Sequence, residues 1–155
     1  MSRDETARPA VTRATLADLP LLVPLFDAYR RFYGQAADPA AAAAFLQQRL
    51  RHGDSVLLLA RGDDGEPAGF VQLYPGFSSV RIARTFVLND LFVVPSQRRR
   101  GVARLLLEAA EAQARELGAV SLSLSTAVDN HAAQRLYASA GWVRDTAFEV
   151  FRRAL

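Results

Sequence analysis

From Thr85 to Ser125 the apolar residues change period twice, and that change limits what the chain can fold into. Thr85 to Val94 is rich in β-branched and aromatic residues and closes at Pro95, as an extended strand does. From about Arg100, Val102, Leu105, Leu106, Ala109, Gln113 and Leu117 favour one helix face, with Gly118 as the stop. Val120, Leu122 and Leu124 then alternate with Ser121, Ser123 and Ser125. Strand, helix, strand in that order joins two parallel strands through a right-handed crossover, so the chain is expected to be an α/β (α+β) domain.

The rest of the chain adds elements to this unit. Thr15 and Asp18 form a variant capping box, and Leu19, Leu22, Val23 and Phe26 predict a helix ending near Tyr33 and Gly34. Pro20 and Pro24 inside it allow a later start or a kink. Pro39 opens a second helix that ends around His52 and Gly53. Val56 to Ala60 and Ala68 to Tyr74, joined by Gly62-Asp63-Asp64-Gly65, predict a hairpin that Pro75 and Gly76 break. Asp129 or Asn130 caps a helix through Ala140, and Trp142 to Leu155 is expected to supply one or two final strands. At 155 residues the chain suits a single domain over 1–155, with residues 1–9 expected to be disordered.

Composition excludes several functions. There is no cysteine, so disulfides, thiolate ligands and a cysteine nucleophile are absent, and His52 and His131 alone argue against a metal site. No apolar run approaches the roughly 18 residues of a membrane span. The start, MSRDETARPA, lacks the apolar stretch of a secretory signal, so a cytoplasmic location is expected. All 19 basic residues are arginine and the net charge is +3. Biased base composition accounts for that, and so does a surface that binds phosphates by paired hydrogen bonds. Acids scattered among the arginines argue against nucleic acid as the partner.

Between strand and helix stands PSQRRRGVA. A helix N-terminus presents unpaired N–H groups and partial positive charge, Gly101 and Ala103 leave room for close approach, and Arg98, Arg99 and Arg100 add full charges. A pyrophosphate fits there, although the arginine triplet alone reads equally as a solvated patch. A nucleotide triphosphate loop would need a lysine, which the chain lacks. Downstream, Asn130, Ala133, Gln134 and Tyr137 fall on one helix stripe, because seven residues make nearly two turns. Taken alone, Tyr137 also reads as an amphipathic core aromatic. The pair Asn89-Asp90 interrupts an apolar strand against local propensity, as functional sites do and as a β-bulge or a satisfied core hydrogen bond also would.

LNDLFVVPSQRRRGVARLLLEAA followed by NHAAQRLYASAGW resembles the GNAT superfamily of N-acetyltransferases. The family's Gln/Arg-x-x-Gly-x-Gly/Ala motif is matched by Arg98, Gly101 and Ala103, and its Asn-x-x-Ala-x-x-x-Tyr pattern by Asn130, Ala133 and Tyr137. Asn89-Asp90-Leu91-Phe92-Val93 looks most like the diamine and polyamine acetyltransferase branch, from which Asn89 departs where a second acid is frequent.

The resemblance implies a GNAT fold: a mixed, mostly antiparallel sheet splayed at an acetyl-CoA cleft and flanked by about four helices. It implies that Leu91, Phe92 and Val93 pair with the pantetheine arm. It also implies that Arg98, Arg99, Arg100, Gly101, Val102, Ala103 and Arg104 cradle the pyrophosphate, with Asn130 and Ala133 beside the cofactor. A homodimer is implied as well.

On this reading Asp90 accepts a proton from a small-molecule amine, directly or through water, and burial would have to suit it to that work. Tyr137 protonates the departing thiolate, and a backbone N–H near Val93 polarises the acetyl carbonyl. The amine would enter over the first two helices, where Tyr29, Phe32, Tyr33 and Asn89 are candidate substrate contacts. Helix packing accounts for the three aromatics equally well. Asp27, Asp38 and Glu149 are further ammonium partners that only the fold can place. The alternative is an acetyl-CoA-binding sensor or interaction module without turnover.

Overall fold

The computed structural model describes residues 9–155, so the expectation of a disordered start falls, up to residue 8, outside the described residues. Strand β1 (Ala10–Arg13) leads through a short 3-10 turn to α1 (Leu19–Phe32) and α2 (Pro39–His52). Then come β2 (Val56–Arg61), β3 (Pro67–Ser78), β4 (Ala83–Val93), α3 (Val102–Glu116), β5 (Ala119–Ser123) and α4 (His131–Ser139). The chain divides into two compact units, one ending at Leu124 and one running from Ser125 to Leu155.

In the first unit the five strands lie in chain order, β1-β2-β3-β4-β5. The first three pairings are antiparallel and β4–β5 is parallel, as the strand-helix-strand unit requires. Leu22, Leu25 and Phe26 of α1 and Ala42 and Leu46 of α2 bury against Leu57, Leu59, Phe70 and Phe92 on one face. On the other face α3 buries Val102, Leu106, Leu107, Ala110 and Ala114, a stripe one position removed from part of the expected one. Gly69 sits where a Cβ would collide with the carbonyl oxygen of Phe92 and crowd Leu106, so β3, β4 and α3 approach closely only because that residue has no side chain.

Three expectations are corrected. β3 does not stop at Pro75 but runs to Ser78, pairing Pro75 with Phe86 and Gly76 with Thr85. Beyond Leu73 its ladder to β2 has ended, and a proline is tolerated on a strand with a free edge. Residues 142–155 contain no strand among the described residues, because an extended segment needs a ladder partner and none is formed. Finally, β1 was not foreseen: four residues with a single half-buried position carry almost no alternation. The capping box at Thr15 is present, but it caps the 3-10 turn that precedes α1.

Candidate active site

The register of β3 against β4 shifts at one point. Gln72 faces Asp90 and Leu73 faces Leu88, so Asn89 is an extra residue on β4, a β-bulge. Facing residues share a side of the sheet, and the extra residue resets the alternation. Asp90 and Phe92 therefore join Gln72 and Phe70 beneath α1, while Leu88 shares the side of Leu73.

Asp90 is 3% exposed, and both of its carboxylate oxygens accept from amides. Gln72 Nε2 donates at 2.6 Å and Asn89 Nδ2 at 2.8 Å. Gln72 is itself fully buried, and its Oε1 has no partner among the described residues. The Tyr29 hydroxyl lies over this group, donating to the Asn89 carbonyl at 3.5 Å. Its ring centroid stands 5.0 Å from Tyr33, 5.8 Å from Phe70 and 6.3 Å from Phe92. Burial above all, then the charge of Asp90 and a hydrogen bond to it, push the Tyr29 phenol far up. Burial and then Asp90 push Tyr74 up to about 12, with Arg49 pulling the other way. Both phenols are protonated donors at neutral pH.

Asp27 is no ammonium partner. It is buried, accepts the Asp38 N–H at 2.8 Å and pairs with Arg31 at 3.3 Å. Asp38 caps α2 through the Ala41 N–H at 3.0 Å. Glu149 is exposed in the second unit. Phe32 and Tyr33 remain exposed at the end of α1.

The parallel ladder between β4 and β5 ends at Val87 and Ser123, so Leu88 to Val93 have only β3 as ladder partner among the described residues. Leu91, Phe92 and Val93 thus lie along an open edge. Just beyond, Arg98 turns back: its Nε donates to the Val93 carbonyl at 2.9 Å, and its guanidinium carbon stands 5.7 Å from the Phe92 ring centre and 5.8 Å from that of Phe32. It braces α1 against β4.

Arg99 and Gly101 both adopt positive φ, 62° and 80°. Alternating left-handed residues turn neighbouring N–H groups to one side and form an anion-binding concavity. Gly101 caps α3 without a side-chain bond, whereas Asp38 and Asn130 fill that place on α2 and α4. A Cβ at Gly101 would meet nothing, so the glycine serves the backbone turn and leaves the approach to Val102, Ala103 and Arg104 clear. Arg99 and Arg100 are exposed beside it. This donor set fits the diphosphate of a nucleotide cofactor.

In the second unit Asn130 Oδ1 accepts from the Ala133 N–H at 3.1 Å, which fixes the start of α4. Gln134 ties that start down further, donating to the carbonyls of Ala127 at 3.1 Å and Val128 at 3.0 Å. Asn130, Ala133, Gln134 and Tyr137 form the half-buried stripe that the spacing predicts. The Tyr137 ring centre is 6.2 Å from that of Trp142, whose N–H donates to the Tyr137 carbonyl at 3.0 Å.

Gln72 and Tyr74 were not among the expected site residues. The signal was present: VQLY places an amide inside an apolar strand, the same conflict that marked Asn89-Asp90. Among the described residues, no group of three or more His, Asp or Glu could hold a metal ion, and no helix is long and apolar enough to cross a membrane.

The sequence pattern of the acetyltransferase (GNAT) family matches residues 22–142. An uncharacterized N-acetyltransferase, YhfO of Bacillus subtilis, is 46% identical over 138 residues, 89% of this chain and 92% of that protein. Aminoglycoside N(6')-acetyltransferase type 1 of Klebsiella aerogenes is 32% identical over 115 residues, 73% of this chain and 75% of that one. The crystal structure of a probable acetyltransferase superposes with a TM-score of 0.89 at 43% identity, covering 94% of this chain and 97% of the other. The open five-stranded sheet with four helices among the described residues is the GNAT fold, and the chain belongs to the acetyltransferase (GNAT) family as an acyltransferase.

Proposed function

We propose that the enzyme acetylates the primary amine of a small molecule, an acceptor that brings a single ammonium to Asp90. The observation that carries this reading is the buried carboxylate on the β4 bulge, clasped by two amides among aromatic rings and next to an open strand edge. Acetyl-CoA, when bound, supplies the activated acetyl thioester. The main-chain N–H groups of residues 99–104 hold its diphosphate, with Arg99, Arg100 and Arg104 over the phosphates and Arg98 bracing the wall of the cleft. The backbone of Leu91, Phe92 and Val93 lines the pantetheine arm, and the start of α4 at Asn130 and Ala133 offers a further cofactor contact.

Asp90 takes a proton from the ammonium, directly or through water, leaving the nitrogen lone pair free to attack. An N–H near Val93 stabilises the developing oxyanion. As the carbon–sulfur bond breaks, Tyr137 donates a proton to the departing thiolate, and the second proton, shed by the acylated nitrogen, returns through water to restore the phenol. Attack is direct, since the chain has no cysteine to carry the acetyl group.

Among the described residues Asp90 is the carboxylate held beneath Tyr29, Asn89 is neutral, and Asp27 and Asp54 are already paired with Arg31 and Arg49. This suits one ammonium seated at Asp90, whether from a monoamine, an amino-acid-like amine or one end of a diamine or polyamine. The relative from Klebsiella aerogenes, an aminoglycoside N(6')-acetyltransferase, supports a small-molecule acceptor. A panel of primary amines assayed for CoA release tests the reading. Turnover is expected with monoamines, with the acid limb of the pH–rate profile abolished in Asp90→Asn. Calorimetry that detected no heat with acetyl-CoA or CoA would sink it.

A further inference from the structure

We propose that Gln72 is a positioning residue for the reaction: its side-chain amide sets the orientation of the Asp90 carboxylate that receives the proton. The inference rests on the reading of Asp90 as the base. Gln72 lies in the middle of β3, fully buried, between Val71 and Leu73, which are buried as well. Burying an amide whose oxygen finds no partner costs stability, and a methionine of similar length would fill the space without that penalty. Among the described residues, the one hydrogen bond that the amide makes is the 2.6 Å bond from Nε2 to Asp90 Oδ2.

Register explains why such a clamp matters here. Gln72 is the direct cross-strand partner of Asp90 and also the last residue in register before the bulge. The extra residue Asn89 interrupts the ladder immediately beside the carboxylate, so the backbone alone holds Asp90 less firmly than an ordinary strand position. The second clamp, Asn89 Nδ2 on Oδ1, comes from an exposed residue with freedom to leave. Gln72 is the buried contact of the two.

The groups that act on Asp90 among the described residues are few. Tyr29 comes from α1, with Tyr33 acting on Tyr29 from just beyond the helix end, Tyr74 from β3 beyond Gln72, and Asn89 from β4 itself. Arg49, paired with Asp54 at 2.8 Å, acts on Tyr74, and Arg98 stands over the Phe92 ring. Tyr29 also hydrogen-bonds toward the Asp90 carboxyl, and the short bond to Oδ2 is that of Gln72. Loss of the amide therefore removes a bond to the charged carboxylate and leaves its neighbours in place.

The test compares Gln72→Met, which keeps length and removes the donor, with Gln72→Glu, which keeps shape and sets a like charge beside Asp90. The expected result for Gln72→Met is an acid limb of kcat/KM moved upward by about one pH unit, the size of one charge-assisted hydrogen bond. Its kcat is expected to fall about tenfold, with KM for acetyl-CoA unchanged. Gln72→Glu shifts the limb further in the same direction. Movement of the acid limb and loss of kcat with KM for acetyl-CoA held is a combination that a purely structural role would not produce. Acid limbs and kcat values that coincide with wild type in both variants overturn the proposal, even if thermal stability falls. An acid limb that disappears in Asp90→Asn but stays unmoved in the Gln72 variants removes the role of Gln72 alone. A limb that survives Asp90→Asn removes the base itself, and this inference with it.

Discussion

Asp90 is surrounded by residues that each answer for one part of its setting: Gln72 and Asn89 hold its oxygens, while Tyr29 and Tyr74 lie near enough to feel its charge. The phenols give a prediction for stability. Tyr74 rises from 10.0 to about 12 on folding, so the native preference for its protonated form is complete below pH 10 and is lost as pH climbs through the range between those values. Alkaline titration followed by circular dichroism should show thermal stability beginning to decline near pH 10, and Tyr74→Phe should blunt that decline. At the other chemical position, Tyr137→Phe is expected to lower kcat by roughly a hundredfold, the lower range for general-acid catalysis, with little change in KM. Full turnover by that variant would remove Tyr137 as the acid. Asp90 and Tyr137 stood out in the sequence as candidates because each breaks or completes a local pattern. Gln72 was harder to find, because its significance lies in a contact with a residue 18 positions away that only the register creates.

At the scale of elements, α3 shows what a local pattern can convey. Its period, its glycine stop and its uncapped start can be read from adjacent residues, and the observed helix lies within the expected bounds. The start also separates two properties of PSQRRRGVA. Arg99 already has positive φ, so Arg99→Gly should leave the turn and the melting temperature almost unchanged while weakening CoA binding, a direct measure of the guanidinium. Gly101→Ala does the reverse. It forces a side chain into φ 80° at a cost of about 1–2 kcal/mol and places a methyl group where the diphosphate would approach. Calorimetry should show CoA binding weakened by more than tenfold. The arm formed by β3 beyond Leu73 was hidden for the opposite reason: Pro75 and Gly76 signal a break locally, and the pairing with β4 overrides them.

For the molecule as a whole, the order of elements and the parallel crossover were legible. The fate of residues 142–155 was not, since strand formation depends on partners that sequence does not display. If the concavity before α3 and the open edge of β4 bind one donor, ligand and stability are linked. Free CoA at about a hundred times its Kd should raise the melting temperature by roughly 5–10 °C. The homodimer that the resemblance implies is checked by sedimentation velocity, where a species of twice the chain mass is expected.

The bulge at Asn89 acts as a half-step in a two-beat rhythm. Were that single residue deleted, one side of β4 would have to turn over: either Asp90 and Phe92 would swing toward α3, or the stretch before them would exchange its inner and outer faces. An acid in this strand reaches the face beneath α1 by parity, so a family member could gain or lose that placement through one inserted codon, with no change in the identity of the acid.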